Sequence, residues 1–259
     1  MKSIGLSKID AFIWTHPDKD HSTGIPFILD AFDSTHEARI IMPGGLHKGL
    51  PLCKEAEKDC KYINKLYNSC HQFSRVRRVE VAEDWPLTPR VLLFKEHMSD
   101  RIMTCSFRYL APHTSVVQRY DFSSSPKHNQ LSIVLKVSFN ALDFLYTGDL
   151  LNQTTSLLGD IDLLNLQYIK IPHHGSSSSS NVLRIIENAP YKNMVAVSTI
   201  NTKNNLPEDS ILREYLKKSD EVFVTGPGHN CIMGVVKSIY KIKDTTHKVI
   251  CIGSAHPYK

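Results

Sequence analysis

Apolar positions fall in short runs separated by polar or Gly/Pro-rich breaks, which is the pattern of alternating strands and helices rather than of long helices. Ala11 to Trp14 is an apolar run that stops at a polar cluster. Gly24 to Phe32 reads as a helix, and Ala38 to Met42 as a strand stopped by Pro43, Gly44 and Gly45. From Leu50 to Cys70, the positions Cys53, Ala56, Cys60, Ile63, Leu66 and Tyr67 make a helical inner stripe. Three β-rich runs follow, at Val76–Val81, Val91–Phe94 and Ile102–Tyr109, and the polar stretch from Ala111 to His128 reads as a loop. Leu131–Phe139 and Asp143–Tyr146, turning at Asn140-Ala141, predict a β-hairpin. Further helices are expected over Leu150–Leu158, Asn181–Asn188 and Glu208–Lys218. Strands are expected over Leu163–Ile171, Met194–Thr199, Glu221–Thr225, Cys231–Val236 and Val249–Ile252. Strands followed by helices, with antiparallel hairpins mixed in, predict an α/β sandwich.

Composition narrows the class. With 259 residues, 41% apolar and 22% charged, the chain can bury a core, which excludes collagen-like, coiled-coil and wholly disordered readings. No apolar run approaches the ~18 residues of a membrane span, and the first residues lack the apolar stretch of a signal peptide. Six cysteines, at 53, 60, 70, 105, 231 and 251, form no CxxC pair. They read as buried small apolar residues in a reduced, cytoplasmic protein. The net charge of +5 is modest and spread over small groups, such as Arg75 to Arg78 and Lys217-Lys218, so these read as solvated faces. Ser176 to Ser180 is the one low-complexity segment, a flexible loop or one that faces substrate.

Thirteen histidines raise the question of chemistry, and they are not evenly placed. Thr15-His16-Pro17-Asp18-Lys19-Asp20-His21 carries two His and two Asp within six residues, at the end of one strand and before a helix. Imidazole and carboxylate are donors for zinc, manganese or iron. Phe144 to Tyr146 runs into Thr147-Gly148-Asp149, and Ile169 to Ile171 runs into Pro172-His173-His174-Gly175. Three strand ends carrying His and Asp can supply one metal centre from distant parts of the sequence.

These segments together resemble the metallo-β-lactamase superfamily. His16-Pro-Asp18-Lys-Asp20-His21 is similar to its His-x-His-x-Asp-His signature, with Asp18 where most members carry the second His; that variant resembles the ComEC-type hydrolase domain of bacterial DNA uptake. Asn129-x-x-Ser132, the Gly148-Asp149 strand end and His173-His174-Gly175-Ser176 resemble the same branch. The resemblance spans about Ile9 to Asn230, with a divergent middle from Leu50 to Ala111. It implies a single domain over residues 1–259, a metallo-β-lactamase-like αββα sandwich lacking its first strands. It also implies two divalent ions, zinc or manganese: His16 and Asp18 on one, Asp20 and His21 on the other, Asp149 between them, and His173 or His174 completing a site or touching substrate. Asp20 and His174 are the expected catalytic residues, and Thr15, Ser22 and Ser176 the expected partners that orient the imidazoles.

The implied activity is phosphodiester hydrolysis by a metal-bound water, with nucleic acid as the partner. Hydrolysis of another ester, a thioester or a lactone by the same ions is the first alternative; a degenerate subunit that binds without turnover is the second. Three departures bear on that choice. Only fifteen residues precede His16, so strands usual before the metal motif are missing. Leu206-Pro207 stands where relatives tend to have His-Pro, and leucine cannot bind a metal. The acid often seen after the strand-end Thr225 is absent, and His229 reads as a turn residue. The histidines at 36, 47, 71, 97, 113, 128, 247 and 256 read as surface or packing residues, although His97 and His128 lie where many members carry another ligand.

Overall fold

The structure is a computed structural model that describes residues 8–32, 38–44, 79–82, 91–98, 101–119, 128–140, 142–189, 194–226, 235–241 and 246–259. The helix expected over Leu50–Cys70 and the turn at His229 lie outside the described residues, as do the side chains of Arg75 to Arg78 and His97. The chain divides into two compact units, residues 1–89 with 109–134, and residues 90–108 with 135–259.

In the first unit, strands β1 (Ala11–Ile13), β2 (Arg39–Pro43) and β3 (Val79–Ala82) pair in parallel in that order. The short strand β1 is prolonged by Trp14, whose N–H donates to the Ile41 carbonyl at 2.8 Å. Helix Ile25–Phe32 buries Ile25, Leu29 and Phe32, spaced four and three residues apart on one face, and leaves Phe27 in water. The Ala111–His128 stretch corrects one expectation: Thr114–Arg119 is a helix, not loop. Its apolar content is confined to Val116 and Val117, with Val117 buried, and its first turn is held by the His113 carbonyl and the His113 imidazole rather than by a Ser or Asp cap. Polarity hid the helix because only a narrow stripe had to be apolar.

The second unit holds an eight-stranded sheet. Its strands are β4 (Val91–Met98), β5 (Arg101–Ala111), β6 (Val134–Phe139), β7 (Leu142–Tyr146), β8 (Leu166–Lys170), β9 (Val195–Thr199), β10 (Glu221–Thr225) and β13 (His256–Tyr258). Their order is β13-β10-β9-β8-β7-β6-β5-β4. The strands β7 to β10 run parallel, and β6–β7 is the expected antiparallel hairpin, turning at Asn140 with φ 53°. A separate hairpin, β11 (Val235–Lys241) and β12 (Thr246–Ile252), sets Val236 and Val249 on Val195, Val197 and Phe223 of the sheet. The mixed α/β class read from the sequence is the class observed.

Two further expectations are corrected. The helix over Leu150–Leu158 shrinks to Asn152–Thr155, where the Thr154 and Thr155 hydroxyls donate back to the Leu151 carbonyl and compete with helix propagation. Cys251 is exposed, not buried, and Cys105 is half-buried; both are free thiols. Among the described residues, no helix is long and apolar enough to cross a membrane.

Helix Asp209–Leu216 buries Ile211, Leu212 and Tyr215 on one face. The Tyr215 hydroxyl is buried without a hydrogen-bond partner among the described residues. An unpaired buried hydroxyl costs roughly 1–3 kcal/mol. Tyr215→Phe is therefore expected to leave stability unchanged or raise it by about 1 kcal/mol. Thermal unfolding reads this, and a clear loss of stability contradicts the assignment of that hydroxyl as unpaired.

Candidate metal centre

The first unit places its ligand-type residues directly after β1. Past Trp14 the chain leaves the sheet, and the buried indole N–H donates to Ser22 Oγ at 3.2 Å, closing a tight loop over residues 15–21. Ser22 thus serves Trp14 and not an imidazole, which corrects one expected partner. Lys19–Ser22 forms a single helical turn that carries Asp20 and His21. The His21 N–H donates to the Asp18 carbonyl at 3.1 Å, which folds His21 back toward His16. The two rings lie 4.0 Å apart, centroid to centroid.

Both rings are held at Nδ1 by hydroxyls. Thr15 Oγ1 lies 3.2 Å from His16 Nδ1 and 3.0 Å from His21 Nδ1, and Ser132 Oγ lies 3.1 Å from His16 Nδ1. Ser132 belongs to the Asn-x-x-Ser segment, which is joined to the loop by the Ile133 N–H donating to the Thr15 carbonyl at 2.9 Å. Thr15 was legible as a partner from its neighbour His16; Ser132, 116 residues away, was not. A hydroxyl at Nδ1 makes the opposite nitrogen, Nε2, the one that could coordinate a metal.

His128 is the residue that sequence reasoning set among the incidental histidines. It is 3% exposed, and its Nδ1 lies 2.9 Å from Asp18 Oδ1. The other carboxylate oxygen, Oδ2, lies 3.6 Å from His16 Nε2. Burial raises the Asp18 pKa, but the hydrogen bonds from His128 and His16 outweigh it and hold the carboxyl well below the usual carboxylate range. The sequence signal for His128 was its place between the two main motifs, where many members of the resembled superfamily carry another ligand.

The second unit carries Asp149 and the double histidine. Asp149 sits in the turn after β7, where Gly148 adopts φ 54°. Its buried carboxylate receives Lys170 Nζ on Oδ1 at 3.1 Å, and the same ammonium donates to the Gly148 carbonyl at 2.6 Å. Strand β8 ends at Lys170 and passes into the turn Pro172–Gly175. There His173 (φ 46°) and His174 (φ 53°) both adopt the left-handed conformation, an arrangement that L-residues hold only when their surroundings enforce it. The enforced turn points the rings apart. His174 is buried, with Nε2 3.5 Å from Asp149 Oδ2, while His173 places Nδ1 2.9 Å from Ser178 Oγ. Ser176 instead accepts from the Ser178 N–H and caps the short turn Ser177–Ser179, so it is not an imidazole partner. The serine run is therefore ordered: Ser177 N–H and Oγ both donate to Glu208, and Ser179 Oγ donates to the Ser176 carbonyl.

The structure thus gathers His16, Asp18, Asp20 and His21 with the added His128 in one unit, and Asp149 with His174 in the other. These donors fit a divalent metal. They are imidazoles and carboxylates, and the buried His128 Nε2 has no hydrogen-bond partner among the described residues. A nitrogen removed from water without a partner is costly, and a cation would satisfy it.

No protein-family model and no curated protein matches the sequence. Among solved structures, the chain is similar to a diphosphatase described as a new member of the PhnP family, at 16% identity over 80% of this chain and 69% of that one, with a TM-score of 0.34. A likeness of that size does not establish a shared fold or activity.

Proposed function

We propose that the chain is a metal-dependent hydrolase of the metallo-β-lactamase superfamily, resembling its ComEC-type branch, that cleaves phosphodiesters, with nucleic acid as the substrate class. The observation that carries this reading is the anchoring of His16 and His21 at Nδ1 by one hydroxyl, Thr15 Oγ1, which dedicates both Nε2 atoms to a common task. The motifs at Asp149 and His173-His174 support it. His16, Asp18, Asp20, His21, Asp149 and His174 are the proposed metal ligands, with His128 added through Nε2. His173, turned to Ser178, is assigned to substrate contact instead.

Divalent ions, two of them by the resemblance, would lower the pKa of a water and stabilise charge on the scissile group. The protein's own residues do the rest. Asp20 has a half-exposed carboxylate on the Lys19–Ser22 turn and is the group placed to take a proton at an oxygen open to solvent. The buried His174, held between Thr199 and Asp149, offers Nε2 in a fixed direction. Thr15 and Ser132 fix the ring planes before any ligand arrives, so little reorganisation is needed on binding.

Elemental analysis of the purified protein tests this reading, followed by assays on single- and double-stranded DNA, a phosphodiester dye and lactones with manganese or zinc. The expected result is bound divalent metal and metal-dependent cleavage of the phosphodiesters. Cleavage of lactones alone would move the substrate class to other esters. Metal or DNA binding without turnover would favour a degenerate subunit, for which Leu206 is the sequence argument. No metal above background overturns the hydrolase.

A further inference from the structure

We propose that Asn152, which no motif includes, is a positioning residue whose carboxamide clamps the serine run to the Asp149 loop and so sets His174 against Asp149. The inference rests on the reading of Asp149 and His174 as metal ligands for its purpose; the clamp itself stands on its own distances.

Asn152 opens the short helix Asn152–Thr155, three residues after Asp149, and is half-buried. Its Nδ2 donates to the Ser177 carbonyl at 3.1 Å, and its Oδ1 accepts the Asn181 N–H at 2.7 Å. Both directions are fixed, because a carbonyl can only accept and a backbone N–H can only donate. Turning the amide over would set oxygen against oxygen and N–H against N–H. Ser177 and Asn181 are four residues apart, the spacing of one α-helical hydrogen bond. In a continuous helix the Asn181 N–H would donate to the Ser177 carbonyl. Here the chain breaks between the turn Ser177–Ser179 and helix Val182–Ile185, and the Asn152 carboxamide fills the gap as a surrogate peptide group. The serine run therefore completes its backbone hydrogen bonding only with the loop that carries Asp149.

The clamp reaches His174 because the serine run is tied to the double-histidine turn. The Ser177 N–H and Oγ donate to Glu208 Oε1, each at 2.8 Å, and the Glu208 N–H donates to the Gly175 carbonyl at 3.1 Å. Ser179 Oγ reaches back to the Pro172 carbonyl at 3.1 Å. A displacement of Ser177 is thus passed to the turn that begins at Pro172 and carries His174. A direct backbone contact between the two loops, from the His173 N–H to the Gly148 carbonyl, is long at 3.4 Å. The Asn152 contacts are shorter and so hold the loops more firmly. The 3.5 Å spacing of Asp149 Oδ2 and His174 Nε2 is supported from the strand by Lys170, 3.1 Å from Asp149 Oδ1, and from the loop by Asn152.

Three variants and three readouts test the role. Asn152→Leu keeps the bulk and removes both hydrogen bonds, and Asn152→Asp keeps the acceptor but loses the donor. Thr154→Val is a control in the same short helix that removes only the hydroxyl donating to the Leu151 carbonyl. The first readout is amide hydrogen exchange of metal-free protein. The Asn181 N–H is expected to be protected in wild type and in Asn152→Asp, and to exchange about 10-fold faster in Asn152→Leu. The second is the NMR signals of the His174 ring, identified by their loss in His174→Gln. They are expected to shift in Asn152→Leu and to stay in place in Thr154→Val. Where Asn152→Leu does not fold, Asn152→Asp carries this readout, with a shift expected from the lost Ser177 contact. The third is zinc affinity by titration at a temperature where every variant is folded, expected to fall roughly 10-fold in Asn152→Leu and to hold in Thr154→Val. Ring signals unmoved by the Asn152 variants overturn the proposal, as do equal shifts in Thr154→Val or an Asn181 amide that exchanges equally fast in wild type and Asn152→Leu. If wild type takes up no metal while the exchange and ring signals behave as expected, the hydrolase reading fails and the positioning role survives.

Discussion

Asp149→Ala is expected to lower stability and bound metal together, and by more than any other single change in the candidate ligands. The Asp149 side chain is 4% exposed, and its partner Lys170 is 16% exposed. Removing the carboxylate leaves the ammonium in a largely dry site, where it keeps the Gly148 carbonyl as its partner among the described residues. Breaking a buried ion pair from one side costs about 3–5 kcal/mol. For a chain of this size that is a fall in Tm of roughly 10 °C. Because such a loss alone could also lower metal content, a paired replacement separates the two effects. Asp149→Leu combined with Lys170→Met removes both charges, and an apolar pair of similar volume is often as stable as the ion pair it replaces. Thermal unfolding should therefore recover in the double variant, whereas elemental analysis should still find the metal depleted. Full metal content in the folded double variant would falsify the role of Asp149 as a ligand.

Gly175→Ala is the second large effect, and it acts through the backbone. Gly175 closes the double-histidine turn at φ 77°, a conformation that costs an L-residue roughly 1–2 kcal/mol. A Cβ built there would lie 2.7 Å from Pro207 Cβ and 3.3 Å from Ser198 Oγ. Neither neighbour can simply swing away: Pro207 is cyclic, and Ser198 sits fully buried in β9. Overpacking of this kind adds about 1–3 kcal/mol. The Gly175 carbonyl also accepts the Glu208 N–H at 3.1 Å, so a shift of the turn is passed to the start of helix Asp209–Leu216. The expected outcome is a clear drop in Tm, with metal affinity falling as His174 loses its alignment. A variant with wild-type Tm and metal affinity would show that the turn can relax without cost.

The contact between Gly175 and Pro207 also bears on Leu206-Pro207. The resemblance marks this pair as a departure, because leucine stands where the resembled superfamily tends to have a histidine. In the structure the proline half still packs against the double-histidine turn. The Leu206 N–H and carbonyl pair with the backbone of Asn201. With leucine at 206 the loop still packs Pro207 against Gly175 and pairs its backbone with Asn201, so the double-histidine turn keeps its support.

The hydrophobic pattern alone determined the α/β class, most of the strands of the eight-stranded sheet and the hairpin at Asn140. Each of these depends on runs of neighbouring residues whose period a linear chain displays. The motifs likewise marked His16, Asp18, Asp20, His21, Asp149, His173 and His174 as a group, because the residues of each motif are close in sequence. What lies between the motifs was invisible. Ser132 reaches His16, His128 reaches Asp18, Lys170 reaches Asp149 and Thr199 reaches His174 over separations of 116, 110, 21 and 25 residues. None of these partners needs a special neighbour in sequence, since its strand or turn register alone sets where it arrives. The same reason explains why the sequence left His173 and His174 indistinguishable. They differ only once a left-handed turn, enforced by its packing on Pro207 and β9, turns one ring in toward Asp149 and the other out toward Ser178. Short-range chemistry is written along the chain, whereas the choice among its donors follows from tertiary contacts, which fix direction as well as identity.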